Sequence, residues 1–118
     1  MINKQELRLG NWIYLTWEYF QFTKEAFNYH EQLLDPIPLT EKILMKCGFE
    51  KKQWDEIISI EINITASTYL AMGDKNGFLE VALCDGDFEI IRYRYVHQLQ
   101  NLYFALTGEE LKLDLKSL

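Results

Sequence analysis

This sequence predicts an α+β domain: an antiparallel β-meander packed with two or three helices and preceded by small N-terminal strands. Three observations carry the prediction. Ile58, Ile60, Ile62 and Ile64 alternate with Ser59, Glu61 and Asn63, the period-2 pattern of a strand with one buried face. Three further β-prone runs, Thr68 to Met72, Phe78 to Cys84 and Phe88 to Tyr95, follow at hairpin spacing. They are separated by Asp74-Lys75-Asn76-Gly77 and Asp85-Gly86-Asp87, whose Asn-Gly and Asp-Gly pairs supply the positive φ that tight turns need. On both sides of the meander the apolar spacing changes to that of a helix.

In chain order, Leu7 and Leu9 alternate with charged residues and predict a short strand, which Gly10-Asn11 ends. The β-branched and aromatic run Trp12 to Trp17 predicts a second strand, and Phe20 to Phe22 a short third one. Thr23 is placed to cap a helix carrying Phe27, Glu31 and Leu34 at helical spacing, with Asp35-Pro36 turning the chain out of it. Pro36-Ile37-Pro38 lacks two amide donors and predicts an extended connector. A two-turn helix follows. Thr40 caps it, Glu41 sets a carboxylate against its dipole, and Leu39 can staple onto Leu44. Gly48 ends it in the left-handed conformation, with Phe49 closing on Leu44. Leu79, Val81 and Leu83 share one face of the third meander run, yet Phe78, Ala82 and Cys84 make the other face apolar too, so helices are expected on both sides. Val96, Leu99, Tyr103 and Leu106, widened by Leu102, form the stripe of the longest helix, which Gly108 stops. Leu111, Leu113 and Leu115 then alternate with Lys112, Asp114 and Lys116 and predict a last strand, paired within the chain or with a second copy.

The 118 residues suffice for one core that removes roughly 65% of the unfolded surface from water, and no linker or repeat divides residues 1–118. Hydrophobic residues at 48% and charged residues at 25% exclude a disordered composition. Eight of the seventeen aromatics fall between Trp12 and Tyr29, a density that serves either a core or an exposed partner-binding patch. The net charge of -6 opposes phosphate backbones at long range. Cys47 and Cys84 have no partner at zinc-ligand spacing and read as reduced thirty-seven-apart thiols of a cytoplasmic protein. The first ten residues contain no apolar signal core, and no apolar run approaches the ~18 residues of a membrane span.

Three stretches resemble an uncharacterised family of small proteins from gut bacteria and their prophages and other mobile elements. They are Glu6-Leu7-Arg8-Leu9-Gly10-Asn11-Trp12, Pro36-Ile37-Pro38-Leu39-Thr40-Glu41 with its Cys47-Gly48-Phe49-Glu50 exit, and the block from Tyr95 to Leu111, which reads YVHQLQNLYFALTGEEL. The resemblance implies a bacterial mobile-element context and supplies no catalytic residue.

Two constellations invite chemistry. Asp85-Gly86-Asp87 with Glu89 is a tight carboxylate cluster able to offer oxygen ligands to a hard cation, but it lacks the further ligands of a calcium loop, and a hairpin turn explains it. Arg92-Tyr93-Arg94-Tyr95 interleaves cations with aromatics, as a phosphate-and-base surface does; on a strand the arginines share one face and the tyrosines the other. His97 can act as a general base only beside a nucleophile or substrate pocket, and no serine or cysteine lies in a nucleophile motif, so His30 and His97 are read as structural or surface residues. No catalytic, cofactor or metal residue is assigned. The expected function is a non-enzymatic protein-interaction or accessory role, by sheet edge or aromatic patch, with a homodimer as one form. The alternatives are a nucleic-acid accessory factor using Arg92, Arg94, Lys51 and Lys52, and a hydrolase with an unrecognised carboxylate site. Given the charge, no useful affinity for duplex DNA is expected; fluorescence anisotropy reporting submicromolar binding at about 150 mM salt would overturn this.

Overall fold

The computed structural model describes residues 4–15, 18–23, 34–54, 56–75, 78–86 and 88–117. Among these residues, two antiparallel sheets and two α-helices give the α+β class the sequence predicts. The smaller sheet has the order β2-β1-β3, built from β1 (Trp12–Leu15), β2 (Glu18–Gln21) and β3 (Leu34–Asp35). After helix α1 (Glu41–Lys46) comes a five-stranded meander of β4 (Glu50–Trp54), β5 (Ile57–Asn63), β6 (Thr68–Lys75), β7 (Phe78–Asp85) and β8 (Phe88–Tyr93), each strand paired to the next. Helix α2 (Val96–Thr107) completes the fold.

Several elements differ from expectation, each for a local reason. No strand forms at Leu7 to Leu9. Lys4–Glu6 is a 3-10 turn, and the Arg8 amide donates to the Asn11 side chain at 2.7 Å instead of to a ladder. β4 is an unexpected strand: Glu50-Lys51-Lys52-Gln53 has no apolar alternation, and its conformation comes from pairing with β5, Glu50 opposite Glu61 through Trp54 opposite Ile57. β8 stops at Tyr93 because the next residues are engaged elsewhere. Leu39 donates to the Arg94 carbonyl and Val96 to the Ile37 carbonyl, at 2.8 and 2.9 Å, which makes Pro38 and Tyr95 an isolated bridge. Most of the helix expected from Thr23, and the Asn76-Gly77 turn, lie outside the described residues.

Both ends of α1 follow the sequence. The Thr40 hydroxyl accepts from the Ile43 amide at 3.2 Å, and Gly48 sits at φ +98°. The Phe49 amide donates to the Leu44 carbonyl and the Gly48 amide to the Met45 carbonyl, the paired bonds of a Schellman cap. Gly108, at φ +75°, ends α2 by donating to the Phe104 carbonyl.

The main core joins Ile43, Leu44 and Phe49 to Val96 and Leu99 of α2 and to the inner face of the meander at Ile60, Leu70, Val81 and Leu83. A second cluster, Leu7, Ile13, Phe22 and Leu34, lies on the small sheet. The aromatic run divides between roles: Trp12 and Phe22 are core, while Tyr14, Tyr19 and Phe20 are half-buried. The last strand expected from Leu111 does not pair within the chain. Leu111 and Leu115 are buried in the main core, Trp12 Nε1 donates to the Leu113 carbonyl at 3.0 Å, the Lys116 amide donates to the Asp114 side chain at 3.0 Å, and Leu115–Ser117 is a 3-10 turn. Alternation here reports which leucines face inward; it needs no ladder to do so.

Because α1 has only six residues and little stability of its own, Thr40→Ala is expected to cost about 1 kcal/mol. Gly48→Val should cost more, since a β-branched residue resists positive φ. Denaturant melts of the two variants check both values.

Candidate functional site

The outer face of the meander is a polar surface built by register. Glu61, Ala71, Ala82 and Arg92 stand in one row across β5 to β8, and Gly73 opposes Glu80 in the next. Glu80 is only 8% exposed, and among the described residues Arg92 and Arg94 cover it, at 3.9 and 3.4 Å from its carboxylate. Arg92 reaches over β7 as far as β6, where a Cβ on Gly73 would stand 3.2 Å from its guanidinium. Small residues at 71, 73 and 82 thus floor the arginine, whose stem buries their surface while its head stays polar. On the β4 side Lys52 pairs with Glu61 at 3.4 Å, and Ser59 donates to the same carboxylate at 3.0 Å. Lys51 pairs with Glu41 at 3.4 Å. All four cations singled out in the sequence therefore have a carboxylate within reach.

β8 carries the other distinctive feature. Its register against β7 slips at Leu83/Cys84: Leu83 faces Ile91, while Cys84 faces Glu89, which leaves Ile90 as an extra residue, a β-bulge. The bulge puts Glu89 on the same face as Arg92, and the two side chains form a hydrogen-bonded ion pair. It also leaves apolar side chains in solvent, Phe88 at 78%, Ile90 at 62% and Ile91 at 40% exposure. Among the described residues only β7 pairs with β8, so this strand is an edge. The acidic turn beside it behaves as a hairpin: Gly86 has φ +59° and donates to the Ser67 carbonyl at 2.8 Å, while Asp87 lies outside the described residues.

His97 lies on a pocket of about 330 Å³ lined by Glu6, Tyr93, Gln98, Asn101, Leu102 and Ala105. The residue is 1% exposed, and neither ring nitrogen has a hydrogen-bond partner among the described residues. The nearest candidate, Glu6 Oε2, is 3.6 Å from Nε2, beyond hydrogen-bond length. Burial lowers the imidazole pKa, and the Glu6 carboxylate opposes that only in part. Since both nitrogens are sealed from solvent and no serine or cysteine lines the pocket, the geometry of a general base is missing. No three His, Cys, Asp or Glu side chains converge as metal ligands among the described residues. Cys47 and Cys84 are free, and burial pushes the Cys47 thiol up to about 12, away from thiolate chemistry. Tyr14 stacks on Tyr19, its cross-strand neighbour, with ring centroids 5.0 Å apart, and its hydroxyl is pushed up to about 12 first by their hydrogen bond and then by burial.

Sequence reasoning found the arginine face and missed the bulge and the exposed apolar tip of β8; of its two readings of His97, structural or surface, the residue's burial fits the first. Comparison with protein-family models, curated proteins and solved structures finds no match. No helix among the described residues is long and apolar enough to cross a membrane.

His97 makes stability pH-dependent in a defined direction. Its folded pKa lies below the ordinary value, so the unfolded chain takes up the proton first. Stability owed to the neutral ring is full above the unfolded pKa of about 6.5 and falls as pH drops below it, by up to about 1.4 kcal/mol per pH unit. Urea midpoints from pH 8 to about pH 5 should decline less for His97→Gln than for the wild type; parallel curves would contradict the assignment.

Proposed function

We propose that this chain is a non-enzymatic interaction domain, an accessory protein of a bacterial mobile element, that receives a strand of another polypeptide along the edge of β8. One observation carries the reading: Phe88, Ile90 and Ile91 stand in solvent on an edge strand whose outward backbone groups have no partner strand among the described residues. Natural edges are blunted by charge, proline or cover, and an apolar one is a template for strand addition. The opposite edge, β4, follows the protective rule with Lys51, Lys52 and Gln53. The mobile-element context rests on the three sequence blocks alone, and a cytoplasmic setting on the two free thiols.

The nucleic-acid alternative loses its main support, because Arg92, Arg94, Lys51 and Lys52 are offset by Glu80, Glu89, Glu61 and Glu41. The hydrolase alternative finds little support: the pockets at Tyr14, His97, Glu18 and Trp12 each present at most one carboxylate.

A photo-crosslinking residue in place of Ile90, expressed in the bacterial host, should give covalent adducts on irradiation. The same probe in place of Gln53 on β4 should give few. Absence of adducts at position 90 would overturn the reading.

A further inference from the structure

Resting on that reading of the β8 edge, we infer that the strand it accepts is β8 of a second copy, giving a two-fold dimer with one continuous ten-stranded sheet. The six residues of β8 run Phe88-Glu89-Ile90-Ile91-Arg92-Tyr93: aromatic, acid, aliphatic, aliphatic, base, aromatic. Laid antiparallel on itself about a centre between Ile90 and Ile91, the strand sets Phe88 against Tyr93, Glu89 against Arg92 and Ile90 against Ile91, with every contact made twice. Each pair is of a type that stabilises antiparallel strands: aromatic on aromatic, opposite charges, aliphatic on aliphatic. This self-complementarity is what an isologous interface demands.

The bulge makes the register stereochemically consistent. In an unbroken strand, residues an odd number apart point to opposite faces. A two-fold axis through the sheet would then set Phe88 and the second copy's Tyr93 on unlike faces. The extra residue Ile90 shifts the phase. Phe88, Ile91 and Tyr93 oppose Asp85, Leu83 and Val81 on the inner face, while Glu89 and Arg92 oppose Cys84 and Ala82 on the outer face. Like faces therefore meet across the axis for the aromatic and the charged pairs, with the two bulges opposed at its centre. Charge completes the match: Glu89 and Arg92 already pair within one chain, and beside their symmetry mates they form an alternating group of four.

The length of the edge fits a single strand. Beyond Tyr93 the backbone is taken by Ile37 and Leu39, so the edge strand is limited to β8, six residues and about 20 Å of strand. So small a contact puts the dimer at the weak end of specific association, where mass depends on concentration.

Sedimentation equilibrium of the full chain up to about 100 µM should show reversible movement from 14.1 kDa towards twice that mass. Glu89→Arg alone and Arg92→Glu alone should each weaken self-association at least about tenfold, because like charges then face each other across the axis. Mixed together, the two variants should form a heterodimer visible by native mass spectrometry, since each arginine meets a glutamate again. Circular dichroism checks folding, and if either charge variant is unfolded, Ile90→Lys is the substitute that must abolish the dimer. A wild type that stays monomeric overturns the inference, as does a dimer indifferent to all three substitutions. These failures are separable from failure of the proposed function: adducts from position 90 to other proteins, with a monomeric wild type, would leave strand addition standing and remove only the second copy as its occupant.

Discussion

Gln100 and Asn101 place two amide side chains in the middle of α2, and the N-terminal part of the chain is registered against the helix through them. The Gln100 carbonyl oxygen accepts from the Trp12 amide at 2.7 Å, and its nitrogen donates to the Gly10 carbonyl at 3.3 Å. Asn101 accepts from Asn11 and from Arg8, at 2.9 and 2.8 Å, and donates to the Glu6 carbonyl at 2.8 Å. Asn11 is fully buried, and its backbone carbonyl accepts from Phe22, which fixes where β2 leaves off. Burying these groups costs little only because they satisfy one another; removing one partner would leave a buried donor or acceptor alone, a penalty of about 1–3 kcal/mol. Arg8 closes the arrangement from outside, bound to Glu110 and lying 4.4 Å over the Phe104 ring. Glu6 to Trp12 and Ile37 to Leu39 both dock on the chain from Arg94 to Asn101.

That docking explains why a nominally helical face carries polar residues in its buried part. The expected stripe of α2 was Val96, Leu99, Leu102, Tyr103 and Leu106. Val96 and Leu99 are buried, but so are His97 and Gln100, while Leu106 is exposed. The helix is covered on two sides near its N-terminus and on less of its surface further along. Gln98 belongs to the same logic, its side-chain oxygen accepting from the Arg94 and Tyr95 amides and so marking where the strand becomes helix.

The parts of the fold legible in the sequence are those fixed by local chemistry. Thr40, Gly48 and Gly108 act within a turn of themselves, and Gly86 makes its turn with the φ its type requires. Misreadings fall where a distant partner decides. The residues of β4 are polar and become a strand because β5 offers a ladder; Leu111 to Leu115 alternate like a strand and are not one, because Trp12 and the core hold them with no sheet edge alongside. Arg92 and Arg94 were correctly placed on one face, but the burial of Glu80 beneath them depends on Ala82 and Gly73 in other strands leaving room. A bulge is the hardest case, since an extra residue is extra only relative to a neighbour that the sequence does not name.

The two edges of the meander are unlike for a reason that reaches back to the bulge. An unbroken β8 would alternate its residues between the core face and the arginine face all the way to the turn, and Glu89 would point with Ile91 towards the inner side. The slip at Ile90 instead returns Glu89 to Arg92, where a charge pair can form, and it leaves an isoleucine outside the regular alternation, in solvent beside Ile91. Bulges ordinarily protect an edge by twisting it away from neighbours. Here the irregularity joins an exposed apolar centre to flanking charges of opposite sign, which in the dimer we infer would turn a generic, adhesive edge into one that discriminates. A strand of uniform charge, or one set one residue out of register, would place like charges together or bury one without a partner, and specificity arises from that penalty as much as from the isoleucines.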